Sequence, residues 1–164
     1  MPEDGFESAA IATLGGAQIV ADTSAPVITG ARSLYILASS GGVPGTKPQQ
    51  TQLALRLTVA PGDTVVRFAY RAVNPNSFDG TYFAVATPGG RMTVMSVRST
   101  ATPTTSATIA DQAVTLRPLA MAEIPLPADA SSEVVIARIV RGTGCTGMPA
   151  PPVEGMLIDD LRVE

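Results

Sequence analysis

Proline and glycine recur along almost the whole chain and leave little room for long helices. The sequence has 14 Pro and 15 Gly in 164 residues, and both residue types are unfavourable inside helices. The runs between them are short and rich in Val, Thr, Ala and Leu, which is typical of strands joined by turns. Turn signals at this spacing predict about eight to ten short strands.

The clearest strands are predicted in the middle of the chain, where apolar residues alternate with others. Thr51–Val59 and Thr64–Val73 each place apolar side chains at every second position, as in a half-buried strand. Between them, Ala60–Asp63 has Pro and Gly at adjacent positions, which favours a tight turn. The two segments are therefore expected to form a β-hairpin.

A second hairpin is predicted from Thr81–Thr87 and Arg91–Arg98, which the turn Pro88–Gly90 separates. Both faces of this hairpin carry apolar side chains, so periodicity does not show which face is buried. Further strands are predicted at Glu133–Arg141 and Met156–Val163.

A helix over Ser106–Met121 is the main alternative to an all-β reading, but Pro118 would interrupt it. The pattern as a whole predicts an all-β fold, with residues 1–164 forming a single antiparallel β-sandwich domain. The long connection Ser39–Gln50 favours the Greek-key crossings of a jelly roll over a simple meander.

The missing residue types exclude several classes of active site. The chain has no His and one Cys, so it cannot form a Ser-His-Asp triad, a Cys-His pair, an internal disulfide or a His-bearing zinc site. Cys145 lies in a Gly-rich loop and is interpreted as an idle thiol or one half of an intermolecular bond. No catalytic residue is assigned, and the chain is not expected to be an enzyme.

The charge argues against nucleic-acid and membrane partners. The net charge is −3, the basic residues are scattered, and no apolar run is long enough to span a bilayer. Arg56, Arg67 and Arg71 could share one outward sheet face, for which a solvated surface is the simpler interpretation. The first residues do not resemble a signal peptide. Either a leader has been removed from an exported protein, or the protein is made without one, as a cytoplasmic or virion protein is.

Several short motifs resemble, in their order along the chain, a known group of domains. They are Gly5–Ser8, Gly30–Ile36, the turn Val59–Thr64, the segment Asn76–Phe83 and the closing Leu157–Val163. Together they resemble the jelly-roll β-sandwiches grouped as galactose-binding-like domains, which include carbohydrate-binding modules, MAM-type domains and bacterial extracellular choice-of-anchor domains. The resemblance spans nearly the whole chain and implies an extracellular or cell-surface location.

The resemblance also implies a structural Ca²⁺. In these families a Glu of the first strand and an Asp of the last often share the ion, so Glu7 and either Asp159 or Asp160 are the candidate ligands. Backbone carbonyls would complete the ~6–8 oxygens that Ca²⁺ takes. The alternative is that the two aspartates alternate in and out of a strand, one hydrogen-bonded to a loop backbone and the other solvated.

The aromatic residues bear on carbohydrate binding. Sugars stack on exposed aromatic rings, and the chain has no Trp and only three Tyr. Tyr35 and Tyr70 are expected in the core. Phe78 and Tyr82, with Asp79 beside them, are therefore the candidate ligand-binding residues.

The leading hypothesis is a non-catalytic extracellular binding or structural module, with a polysaccharide or a surface protein as its partner and a structural Ca²⁺. The alternative is a self-assembling surface protein, such as a phage decoration protein of the virion or a subunit of an extracellular filament. A hydrolase is a third hypothesis, which the missing His and the unmarked carboxylates disfavour. No nucleic-acid partner and no membrane insertion are expected.

Overall fold

The structure, a computed structural model, describes residues 17–21, 28, 32–37, 50–73, 80–97, 105–109, 112–141 and 155–164. Within these ranges the chain forms strands and no helix. The strands are β1 (Ala17–Ala21), β2 (Arg32–Leu37), β3 (Gln50–Thr58), β4 (Val65–Val73), β5 (Gly80–Ala86), β6 (Met92–Val97), β7 (Thr105–Ile109), β8 (Gln112–Leu116), β9 (Ala120–Pro125), β10 (Glu133–Arg141) and β11 (Gly155–Val163).

The strands are arranged in two sheets whose pairings are all antiparallel. Sheet A has seven strands in the order β1-β2-β11-β4-β8-β7, and β9 also pairs with β4. Sheet B has four strands in the order β3-β10-β5-β6. The predicted all-β, antiparallel class is confirmed.

The turn chemistry confirms one predicted hairpin. Strands β5 and β6 pair directly, and between them the Thr87 N–H donates to the Arg91 carbonyl at 2.9 Å and the Gly90 N–H to the Thr87 carbonyl at 3.0 Å. Gly90 has a φ of 88°, the left-handed conformation that follows a type I turn in this kind of hairpin.

The disfavoured alternative, a helix over Ser106–Met121, is not adopted, because this segment contributes to β7, β8 and β9. One sequence prediction is wrong. Strands β3 and β4 do not form a hairpin, because β3 lies in sheet B and β4 in sheet A. The turn at Ala60–Asp63 instead carries the chain from one sheet to the other. Alternation shows that a strand has a buried face but does not show which strand it pairs with.

The main core lies between the two sheets and has three aromatic rings at its centre. Phe68 of β4 and Phe83 of β5 are fully buried, and their ring centroids lie 4.8 Å apart in an edge-to-face contact. Tyr70 contacts Phe83 in the same way at 5.2 Å, and burial raises the pKa of its hydroxyl above the ordinary value. Tyr70 is partly buried and packs against the main core, in agreement with the prediction that it contributes to the core.

A second, smaller cluster is buried on the other side of sheet A. It contains Tyr35, Val73, Val114, Leu116 and Leu157. Gly155 is needed at its margin for space, because a Cβ there would lie 2.5 Å from Tyr35 Cε2 and 2.6 Å from the Ile36 carbonyl oxygen. Tyr35 is buried as predicted, but in this cluster and not in the main core.

Candidate functional site

The two adjacent aspartates of β11 occupy different environments. Asp159 is fully buried, and its carboxylate accepts hydrogen bonds from Ser33 Oγ at 3.2 Å and from the Asp160 N–H at 2.8 Å. The Asp160 side chain is partly exposed and accepts a hydrogen bond from Arg162 Nη2 at 2.8 Å. Asp159 is thus held inside the protein, whereas Asp160 forms a surface ion pair.

A β-bulge separates these two environments. Asp159 pairs with Ala69 of β4 and Arg162 with Arg67, so two residues of β11 lie opposite the single residue between those partners. The first of the two is Asp160, whose φ is 51°; this left-handed conformation is tolerated by Asp better than by most residues. The extra residue allows Leu161 to face the main core, where simple alternation would have placed Asp160.

Asp159, one of the predicted Ca²⁺ ligands, lies beside the Ser33 hydroxyl in a buried place. Carboxylate and hydroxyl oxygens are ligand types that Ca²⁺ accepts. Within the described part of the chain, no three His, Cys, Asp or Glu side chains come together. Glu7 lies outside the described residues, so the Ca²⁺ site and the Glu7 ligand stay a prediction.

Of the three predicted ligand-binding residues, Tyr82 alone lies in the part of the chain that the structure describes. Phe78 and Asp79 lie outside the described residues. Tyr82 is half-buried and packs against a small apolar cluster of Ala84, Ala137 and Ile139. Because Ala84 and Ile139 alternate with core residues along β5 and β10, this cluster lies on the side of sheet B that faces away from the main core.

This outer face of sheet B carries both apolar and polar side chains from all four strands. Among the described residues, strand register places there Leu53, Arg56, Thr58, Tyr82, Ala84, Ala86, Met92, Val94, Ser96, Glu133, Val135, Ala137 and Ile139. At its centre Ala84, Ala137 and Ile139 are buried, whereas Leu53 on one edge strand and Met92 and Val94 on the other are 48%, 55% and 56% exposed. Large exposed apolar side chains are candidates for contact with another surface.

The outer face of sheet A has a different character. Near β9 it carries ion pairs, in which Arg67 contacts Glu123 at 3.1 Å and Glu164 at 2.8 Å. The prediction that Arg56 shares an outward face with Arg67 and Arg71 is wrong, because Arg56 belongs to sheet B and pairs there with Glu133 at 3.2 Å. These arginines therefore do not form a common anion-binding patch.

A second buried charge lies on the inward side of sheet B. Arg138 is 1% exposed and pairs in register with the core residue Phe83. It takes part in interactions within the protein, as a buried guanidinium requires. Because it faces the main core, Arg138 is not part of the outer face of sheet B.

The outer face of sheet B was not predicted as a candidate site, although one sequence signal pointed to it. Both faces of the β5–β6 hairpin carry apolar side chains in the sequence. Once the structure assigns Phe83, Val85 and Val97 to the main core, Met92 and Val94 must lie on the opposite face. The missing information was the placement of β5 and β6 in the sandwich.

Comparisons with known protein families, curated proteins and solved structures find no match to the chain. In the described part of the chain, no helix has the length and apolar character needed to cross a membrane.

Proposed function

We propose that this chain is a non-catalytic binding or structural module whose contact surface is the outer face of sheet B. The observation that carries the proposal is the exposure of Leu53, Met92 and Val94 on that face. Met92 and Val94 lie side by side on β6 and Leu53 on the opposite edge strand, and exposed apolar side chains of this size are candidates for an interaction site. The absence of His from the sequence is the reason for proposing binding in place of catalysis.

We also propose that the fold is a jelly roll that forms a single domain. The strand pairs β5·β6, β4·β9, β3·β10 and β2·β11 enclose one another in sequence order. Together they correspond to one long hairpin whose two arms pair along their length. Rolling that hairpin up brings β11 beside β4 and β10 beside β5, as observed, while β1, β7 and β8 extend sheet A beyond the nested pairs. This nesting, and a main core with residues from both sheets, support a double Greek key.

A polysaccharide outside the cell is the partner that the family resemblance favours, and Tyr82 is the residue that would stack on it. The test is affinity electrophoresis through gels that contain different polysaccharides. Retardation of the wild-type protein, lost in Tyr82→Ala and kept in Met121→Ala on sheet A, is the expected result. Equal mobility of the wild-type protein in every gel would contradict the glycan-directed form of the proposal.

A structural Ca²⁺ between Glu7 and Asp159 belongs to the same proposal. An ion that binds only the folded chain raises its stability, so EDTA is expected to lower the Tm of the wild-type protein and to leave Glu7→Ala unaffected. Asp160→Asn should keep the EDTA effect, because Arg162 already engages the Asp160 carboxylate. A wild-type Tm that EDTA does not change would remove the ion from the proposal.

Self-assembly is a second candidate function, and the same face of sheet B favours it. The exposed apolar side chains of Leu53, Met92 and Val94 suit contact with another protein surface. A surface protein of a virion or of an extracellular filament would use such a face between its own subunits.

A further inference from the structure

We infer that the free edge of β6 binds an extended segment of a different protein, which pairs with it as an antiparallel strand and carries a carboxylate beside Arg91. The inference rests on the proposed function, because β6 belongs to the contact face of sheet B, and it names the class of partner. A polysaccharide arm in the test separates a failure of this inference from a failure of the proposed function.

The first observation is that β6 ends sheet B. Among the described residues, β6 pairs with β5 alone. The Thr87 N–H donates to the Arg91 carbonyl, so these two residues form a hydrogen-bonded pair, and such pairs alternate with non-bonded pairs along an antiparallel ladder. The backbone N–H and C=O groups of Met92, Val94 and Ser96 therefore point away from β5, where a further strand could pair with them.

The second observation is that β6 lacks the features that protect other edges of the sandwich. Natural edge strands are commonly blocked by charged side chains or by proline. The nearby edge strand β9 has Glu123 and Pro125, and β3, at the opposite edge of sheet B, has the charged Arg56. Strand β6, with the sequence MTVMSV, has neither a charged residue nor a proline. An uncharged edge with outward backbone groups is a template for strand addition.

The third observation is that β6 is held in place by its alternate residues. The Thr93 hydroxyl donates to the Pro125 carbonyl of β9, Val97 is buried in the main core and Met95 packs against it. The residues between them keep their outward backbone groups for a partner. Because the edge is already extended, a partner strand can bind without any rearrangement of this chain, which favours affinity.

The charge of the partner is indicated by Arg91, which directly precedes β6. Arg91 is exposed and forms no ion pair within the described part of the chain. Antiparallel addition, the arrangement of the other strand pairs, would place the C-terminal end of the partner segment beside it. A carboxylate there would complement the guanidinium charge. Residues 91–98 contain no Asp or Glu, so a second copy of β6 would not supply that carboxylate.

The other side chains of the partner follow from the alternation of β6. Alternate side chains of an added strand would lie on the outer side of sheet B, beside Met92 and Val94, which are 55% and 56% exposed. Apolar side chains there would form cross-strand pairs with these two residues. Since β6 has six residues, the partner segment is expected to have apolar residues at alternate positions over a similar length, followed by an acidic residue.

The test begins with the selection of peptides that bind the full chain from a displayed random library. Enriched peptides are expected to alternate apolar residues and to end in Asp or Glu. One such peptide is then added to the wild-type protein, and amide hydrogen exchange is followed by NMR. In the free protein the amides of Met92, Val94 and Ser96 should exchange faster than those of Thr93 and Met95. Bound peptide should slow the first three by at least about tenfold.

Two variants at one position separate backbone pairing from side-chain contact. Val94→Pro removes an outward N–H, a change that an edge strand tolerates, and should raise the Kd of the peptide by at least about tenfold. Val94→Thr is the matched control; it keeps the N–H and the branched shape and should change the Kd by less than about threefold. The exchange data from the wild-type protein decide the question even if Val94→Pro does not fold.

Arg91→Gln tests the charge of the partner. It should weaken binding of a peptide that ends in Asp or Glu by about two- to fivefold, the range of an exposed ion pair. The same peptide with Gln in place of its acidic residue should bind the wild-type protein and Arg91→Gln equally. An equal loss for both peptides would remove the carboxylate from the inference.

Three outcomes overturn the inference: no enriched peptide, a bound peptide that leaves the amide exchange of β6 unchanged, or exchange that slows with rising protein concentration in the absence of peptide. The last would assign the edge to a second copy of the chain. If a polysaccharide still retards the protein through Tyr82, the inference fails and the proposed function stands. If the protein binds neither peptide, polysaccharide nor a second copy, both fail.

Discussion

The outer faces of the two sheets resemble each other in sequence pattern and differ in burial. On sheet A, Leu157 and Tyr35 are buried in a second cluster with β8 residues, and Asp159 beside them is also buried. On sheet B, Ala84, Ala137 and Ile139 are buried on the central strands, whereas Leu53 and Met92 on the edge strands are about half exposed. Apolar residues of the outward faces are thus packed on inner strands and exposed on edge strands, as Met121 of β9 also is on sheet A.

The buried side chains of sheet A pack against apolar residues of neighbouring strands. Strand β8 joins β4 through the pair Val73–Leu116, and its Val114 and Leu116 pack with Leu157. The exposed residues of sheet B lie on its edge strands, at the margins of the buried cluster of Ala84, Ala137 and Ile139. Substitutions of the buried side chains should therefore change folding stability, and substitutions of the exposed side chains should change it little.

The largest expected effect compares two leucines on the two faces. Leu157→Ala should lower the free energy of unfolding by about 2–5 kcal/mol, because it removes a fully buried side chain and leaves a cavity. Leu53→Ala should lower it by less than about 1 kcal/mol, because that side chain is half exposed. Urea denaturation of dilute protein measures both, and equal losses would break the comparison.

The second largest change in the free energy of unfolding is expected at Asp159, in comparison with its neighbour Asp160. Asp159→Ala should lower the free energy of unfolding by about 1–3 kcal/mol, because it leaves the buried Ser33 hydroxyl and the Asp160 N–H without their acceptor. Asp159→Asn should recover part of this loss, since the amide oxygen can accept one of the two hydrogen bonds.

Asp160→Asn is the control for this pair. It loses only a partly exposed ion pair with Arg162, which contributes about 0.5 kcal/mol or less, and Asn tolerates a positive φ. A larger loss for Asp160→Asn than for Asp159→Ala in urea denaturation would show that the bulge, and not the buried carboxylate, is the stabilising feature of β11.

The smallest expected effect on stability comes from Tyr70, which packs against the core between the two sheets. Burial raises the pKa of Tyr70, so the folded state holds the phenol proton at a pH where the unfolded chain has lost it. Stability should therefore be constant below the ordinary tyrosine pKa of about 10 and fall as the pH rises through it. Tyr70→Phe should fall less steeply in alkaline thermal melts. A parallel decline of both proteins would contradict a contribution from Tyr70.

The strands were predictable from the sequence because their signals are local. Alternation and turn residues identify β3, β4, β5 and β10 nearly to their ends, and the Gly90 turn predicts the β5–β6 hairpin. The sheet to which β3 belongs was not predictable, because its partner β10 lies far along the chain. Pairing over such distances depends on the packing of the whole core.

The candidate site was less predictable than the fold. Sequence reasoning identified Asp159 and Asp160 but not their separation, because the bulge at Asp160 changes the alternation without any Gly to mark it. It also identified Tyr82 as an exposed aromatic candidate, whereas the structure places it half-buried against Ile139. Which apolar face of the β5–β6 hairpin is exposed depends on the position of the hairpin in the sandwich, which no local pattern records.

Carbene footprinting of the wild-type protein, alone and with a selected peptide bound, tests the central claim most directly. Carbenes label accessible side chains regardless of their chemistry, so the method compares the two outer faces in one sample. Labelling of Met92 and Val94 should fall when the peptide is bound, while labelling of Met121 should stay constant. Equal labelling of all three residues with and without the peptide would contradict the account of sheet B as the contact face.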